Sequence, residues 1–106
     1  MDLNTFRKLT DGHFATVTFV KKNGEKRVMN FHPMTKRYIK GTGNPVVDGR
    51  AVVLDLGTFR KNLKEGLHRF EAGAKAYRSF WPDTIIELRV GKKVYDKNGE
   101  EMKDVV

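Results

Sequence analysis

Residues 13–32 read HFATVTFVKKNGEKRVMNFH, and the way this stretch folds back on itself decides the architecture. Apolar and polar side chains alternate on both sides of KKNGEK, the pattern of two half-buried strands joined by a tight turn. A two-residue turn on Asn23 and Gly24 pairs Val17 with Asn30 and Phe19 with Val28, which mixes polar and apolar side chains on both faces. A three-residue loop, Lys22-Asn23-Gly24 with Gly24 left-handed in a bulge, pairs Val17 with Met29 and Ala15 with Phe31 instead. A one-residue slip sends every side chain to the other face, so the choice matters. The bulged turn is the expected one, because it gathers Ala15, Val17, Phe19, Met29 and Phe31 on one face. Thr16, Thr18, Lys26, Val28 and Asn30 then share the other.

Upstream, residues 2–10 have Leu3, Phe6 and Leu9 spaced for one helical face, Asp2 or Asn4 as cap, and Asp11-Gly12 as stop. Downstream, residues 33–50 show no sustained period and hold two prolines and three glycines, so they read as a long basic loop. AVVLDL, 51–56, suits a strand buried on both faces or nearly so. A helix is expected around 58–70, with Thr58 as cap and Phe59, Leu63, Leu67 and Phe70 on one side, and Gly66 is a candidate end near Glu65. Strands return with KAYRSF, TIIELRV and KKVYD, followed by a second KNGE turn at 97–100. Few helices and several short strands predict a mainly β domain, a strongly bent antiparallel sheet or barrel.

The chain has 106 residues and a formal charge of +8, with no cysteine. That is one domain with one core. No run approaches the roughly 20 apolar residues of a membrane span, and the N-terminal MDLNTFRKLTDG lacks a basic start with a continuous apolar stretch. A cytoplasmic protein without disulfides is expected. The charge is concentrated. Residues 21–40 hold Lys21, Lys22, Lys26, Arg27, Lys36, Arg37 and Lys40 against Glu25, a net +6, and residues 60–78 carry a net +4. Such an excess points to an acidic partner.

Nothing in the sequence assembles a catalytic constellation, and neither enzymatic activity nor a cofactor is expected. GTGNP at 41–45 lacks the Lys-Ser/Thr of a phosphate loop. His13 and His32 share the open end of the hairpin but lack a third ligand, so they and His68 read as strand-end and surface residues rather than a metal site. Asp48, Asp55 and Asp83 read as turn or capping residues. The basic segments are more informative, because phosphate contact needs only well-placed Lys and Arg, and base stacking needs exposed aromatics. The expected contact set is Lys36, Arg37, Tyr38, Lys40, Arg60, Lys61, Lys64, Arg69, Tyr77 and Trp81. Tyr77 and Trp81 serve equally as core residues or contacts, and Phe80 points inward. Arg78 faces the same way as Phe80 and opposite to Tyr77.

The segments VTFVKKNGEKRVM (17–29), AVVLDL (51–56) and AYRSFWPDTIIEL (76–88) resemble the small phage-encoded WYL-like family, whose fold is an Sm-like, SH3-type β-barrel. The similarity spans about residues 14–32, 51–56 and 76–90 and is most specific at YRSF. It implies a small SH3/Sm-like antiparallel barrel over about 13–96 within one domain, 1–106. Residues 57–75 depart from the family as an inserted basic helical segment, and 91–106 form a C-terminal hairpin or tail. The resemblance also implies phage origin and a regulatory or nucleic-acid-linked role in an infected bacterial host. Two partners follow as expectations: nucleic acid held by the Lys/Arg patch, or an acidic or nucleic-acid-binding host protein such as an RNA polymerase, a nuclease or a defence enzyme.

Overall fold

The computed structural model describes residues 1–33 and 49–102. Helix α1 (Leu3–Thr10) leads into strands β1 (Ala15–Val20) and β2 (Lys26–His32), then β3 (Ala51–Asp55). Helices α2 (Leu56–Lys64) and α3 (Arg69–Ala74) precede β4 (Tyr77–Phe80), a 3-10 turn (Pro82–Thr84), β5 (Ile85–Val90) and β6 (Lys93–Tyr95). All the strand pairs are antiparallel, in the order β4-β3-β2-β1-β5-β6.

The hairpin takes the bulged register. Ala15 pairs with Phe31 and Val17 with Met29. The Gly24 amide donates to the Lys21 carbonyl at 2.9 Å, the Lys21 amide donates to the Glu25 carbonyl at 2.8 Å, and Gly24 sits at φ 87°. Val17 and Phe31 are fully buried, and Val28 on the other face is 67% exposed. Side-chain sorting thus selected the turn.

The barrel expected from the resemblance is not closed. β5 pairs with β1 along one edge and with β6 along the other, the latter only over Leu88, Arg89 and Val90. β4 pairs with β3 and not with β5, although only a short turn separates the two in the chain. The sheet nevertheless curls. β1 and β4 stand three strand positions apart, roughly 14 Å in a flat sheet, yet Phe19 of β1 and Phe80 of β4 stack with ring centroids 4.9 Å apart. Helix α1 covers the enclosed face, where Phe6 stacks on Phe31 and meets Phe80 edge-on, both at 5.6 Å. Val17, Val53, Ile85 and Leu88 complete this core. Burying each such side chain contributes about 1.5–3 kcal/mol.

Helix α1 is capped as its sequence suggests. The Asp2 carboxylate accepts from the Thr5 amide at 2.8 Å, which together with the Thr5 side chain holds its pKa below the usual carboxylate range. Asp11, left-handed at φ 43°, ends the helix.

β3 is buried on both faces: Ala51 and Val53 face the main core, and Leu54 faces a second cluster with Phe59, Ala72 and Ala76. The single helix expected around 58–70 is two helices. Gly66, at φ 91°, breaks it after the C-cap Glu65, and Leu63, Leu67 and Phe70 still pack into the second cluster. The N-cap is Asp55 rather than Thr58. The Asp55 carboxylate, almost fully buried, accepts from the Thr58 amide at 3.2 Å and from its hydroxyl at 2.9 Å. It also accepts from the Arg27 guanidinium at 2.9 Å. Removing Arg27 leaves a buried charge without its partner, a loss of about 3–5 kcal/mol for fully buried pairs and less here because Arg27 is partly exposed.

The C-terminal segment adds a hairpin, closed by the Tyr95 and Glu101 bridge and a 2.7 Å bond from the Met102 amide to the Val94 carbonyl. Among the described residues no helix is long and apolar enough to cross a membrane.

Candidate nucleic-acid interface

Because β4 and β5 do not pair, a cleft of about 660 Å³ opens between β4, the 3-10 turn, the start of β5 and the tip of the first hairpin. Alternation builds its floor: Phe19, Met29, Phe80 and Ile85 project from four different strands toward the same gap. Its rim is cationic. Lys21, Lys22, Arg27, Arg50, Arg78 and Lys97 line it, against the single carboxylate of Asp83.

These cations are not equivalent. Arg27 is neutralised by Asp55, and Lys21 lies 3.8 Å from Glu25 in an exposed pair worth at most about 1 kcal/mol. Arg78 donates to the Tyr77 and Lys75 carbonyls at 2.9 and 3.2 Å, which fixes its orientation without cancelling its charge. Among the described residues, Lys22, Arg50, Arg78 and Lys97 form no ion pair with a carboxylate. The Arg50 guanidinium lies 5.6 Å from the centre of the Trp81 ring, and its Nε is buried with no hydrogen-bond partner among the described residues. Trp81 remains 44% exposed, and its hydroxyl-bearing neighbour Thr84 caps the turn by donating to the Trp81 carbonyl at 2.6 Å. An apolar floor, a cationic rim and an exposed indole suit an anionic ligand that also carries a flat aromatic group.

The expected contact residues divide. Trp81 lines the cleft. Tyr77 faces the other way, into the second cluster beside Leu54. Arg60 lines a different groove, with Phe14, Asn30, Phe59 and Arg89, toward the opposite end of the first hairpin. Lys61 and Lys64 are exposed on α2, Lys61 reaching Glu65 at 4.0 Å, and Arg69 lies over the Phe59 ring at 5.6 Å. Helix α2 packs against β2 and β3, so its cations are carried away from the cleft. Lys36, Arg37, Tyr38 and Lys40 lie outside the described residues.

Sequence reasoning left Arg50, Arg78 and Lys97 out of the contact set. The inward facing of Arg78 was legible, but not that the inner face of β4 borders a gap. Lys97 comes from the second KNGE turn, whose position depends on a long-range contact with α1. His13 is exposed and His32 packs edge-on against Phe14 at 4.9 Å; among the described residues no three His, Asp or Glu side chains gather to hold a metal. No family model, curated protein or solved structure matches the chain.

Proposed function

We propose that this protein binds nucleic acid, without catalysing a reaction, and that the cleft beside Trp81 is the contact surface. The observation that carries this reading is the rim: six cations drawn from the first hairpin, Arg50, β4 and the second KNGE turn face one gap with one carboxylate among them. Lysines and arginines distant in the chain thereby act on one polyanion, and each phosphate neutralised releases condensed counterions. With Arg27 and Lys21 locally paired, about four cations remain to neutralise phosphates. The logarithm of the binding constant should then fall with the logarithm of salt concentration with a slope of about −3 to −4. A titration of a labelled oligonucleotide at several salt concentrations measures it; a flat salt dependence, or no binding at low salt, removes the reading.

The fold reading that goes with it is an SH3-like barrel left open along one seam. It is supported by the strand order β4-β3-β2-β1-β5 and by the 3-10 turn that joins β4 to β5. A second functional reading, a phage effector docking on a host protein, draws on the phage-family resemblance and on the outer face of the sheet, where Phe14 and Val28 are 64% and 67% exposed. Pulldown from nuclease-treated host lysate separates the two. Retention of one stoichiometric protein favours the effector, and loss of every partner favours nucleic acid.

A further inference from the structure

The lining of the cleft is more apolar than a site for phosphates alone requires. A duplex buries the faces of its bases in its own stack and presents only its phosphates and groove edges to a surface cleft. For such a ligand the exposed Trp81 ring would have nothing to stack on, and Ile86, which also lines the cleft and is exposed, would stay wet. An unpaired nucleotide offers both an aromatic face and a charge. Trp81 and Arg50 match the two requirements at one point: the indole is 44% exposed, the guanidinium lies over its ring at 5.6 Å, and Arg50 Nε is a buried donor with no acceptor among the described residues. A buried donor left unpaired is unfavourable, and a phosphate or base carbonyl entering the cleft relieves it.

Resting on the nucleic-acid reading above, we propose that the cleft takes an unpaired nucleotide, with its base against Trp81 and an acceptor oxygen on Arg50, so that the protein selects single strands over duplexes. Arg50 is as much a part of this site as Trp81. Lysine in its place keeps the charge but loses the planar fork that stacks on the indole and donates through Nε.

The test uses the full chain and three labelled probes built on strands of equal length, about ten nucleotides to cover one such site: a mixed-sequence DNA single strand, an abasic strand with the same number of phosphates, and the single strand annealed to its complement, which doubles the phosphates. Fluorescence anisotropy gives the affinities, and Trp81, the single tryptophan, reports stacking by quenching. The single strand is expected to bind roughly tenfold tighter than the abasic strand, the gain of one stacked base, and to quench Trp81. Trp81→Leu and Arg50→Lys should each bring the single strand down toward the abasic affinity with little effect on the abasic strand itself, and Trp81→Phe should keep part of the gain. Equal affinity for abasic and base-bearing strands, or tighter binding of the duplex, overturns the unpaired-base proposal and leaves the nucleic-acid reading standing. Absence of binding to all three probes at low salt overturns that underlying reading as well.

Discussion

Two turns of this chain have the same sequence, KNGE at 22–25 and KNGE at 97–100, and the same backbone solution. In each, the glycine amide donates to the carbonyl three residues back, Gly24 to Lys21 at 2.9 Å and Gly99 to Asp96 at 3.0 Å. Both glycines are left-handed, at φ 87° and 81°. Their surroundings differ completely. Nothing stands within 4 Å of the place a Cβ would take on Gly24, whereas on Gly99 it would meet Thr5 Cγ2 of α1 at 2.7 Å. The N-terminal ammonium of Met1 also donates to the Lys97 carbonyl at 2.6 Å. One turn stands free at the hairpin tip and the other is clamped to a helix, yet Lys22 and Lys97 line the same cleft. Local sequence therefore fixes how such a turn is made, and distant contacts decide how firmly it is held.

The largest expected effect comes from giving both glycines a Cβ. Gly24→Ala meets only the backbone penalty of a left-handed alanine, about 1 kcal/mol. Gly99→Ala adds a clash with a β-branched side chain that has little rotamer freedom, so the total should reach about 3 kcal/mol. Urea denaturation of the two variants measures the difference. Adding Thr5→Ser, which removes the opposing methyl, should recover about 1 kcal/mol in the Gly99 variant and nothing in the Gly24 variant. Equal destabilisation by the two alanines would mean that α1 does not hold the second turn.

A smaller effect separates the two lysines as ligands of the cleft. Replacing either by alanine should lower the magnitude of the logarithmic salt slope by about one. Loss of Lys97 should weaken oligonucleotide binding more than loss of Lys22, by about threefold, because the clamped backbone of the second turn leaves less freedom to be lost on binding. A larger loss at Lys22 would break the link between clamping and affinity.

The same contrast shows how far sequence carries. The first hairpin was legible to the residue pair, because Ala15, Val17, Met29 and Phe31 share a face in only one register and that register demands a glycine at position 24. The double burial of β3 was legible from its β-branched run, and the facing of Arg78 and Phe80 from simple alternation. The open seam was not. It depends on β4 and the start of β5 staying unpaired across the 3-10 turn, an outcome outside the 13–32 pattern, and without it the gap that turns Arg78, Arg50 and Lys97 into neighbours cannot be inferred. Charge density along the chain pointed to α2, but the apolar side of that helix, Phe59 and Leu63, anchors it to the second cluster and leaves Arg60 at another groove. A run of cations records where charge is placed in the chain; the apolar residues between them decide where it is placed in space.

The smallest difference between the turns should be one that acid brings out. The Thr5 amide holds the Asp2 carboxylate below its usual pKa in the folded chain, so the cap favours folding above the pKa of the unfolded carboxylate, and this contribution is lost as pH falls through the folded value, below about 4. Protonation removes the charge that complements the N-terminus of α1 and weakens the acceptor. The second turn rests on that helix through Thr5 and Leu9, and the first does not. Amide exchange at Gly99 should therefore quicken, relative to Gly24, as pH is lowered through this range and after correction for intrinsic rates. Asp2→Asn keeps a capping acceptor that does not titrate and should abolish the pH dependence of the ratio. If the ratio still changes with pH in that variant, the Asp2 cap is not what acid releases.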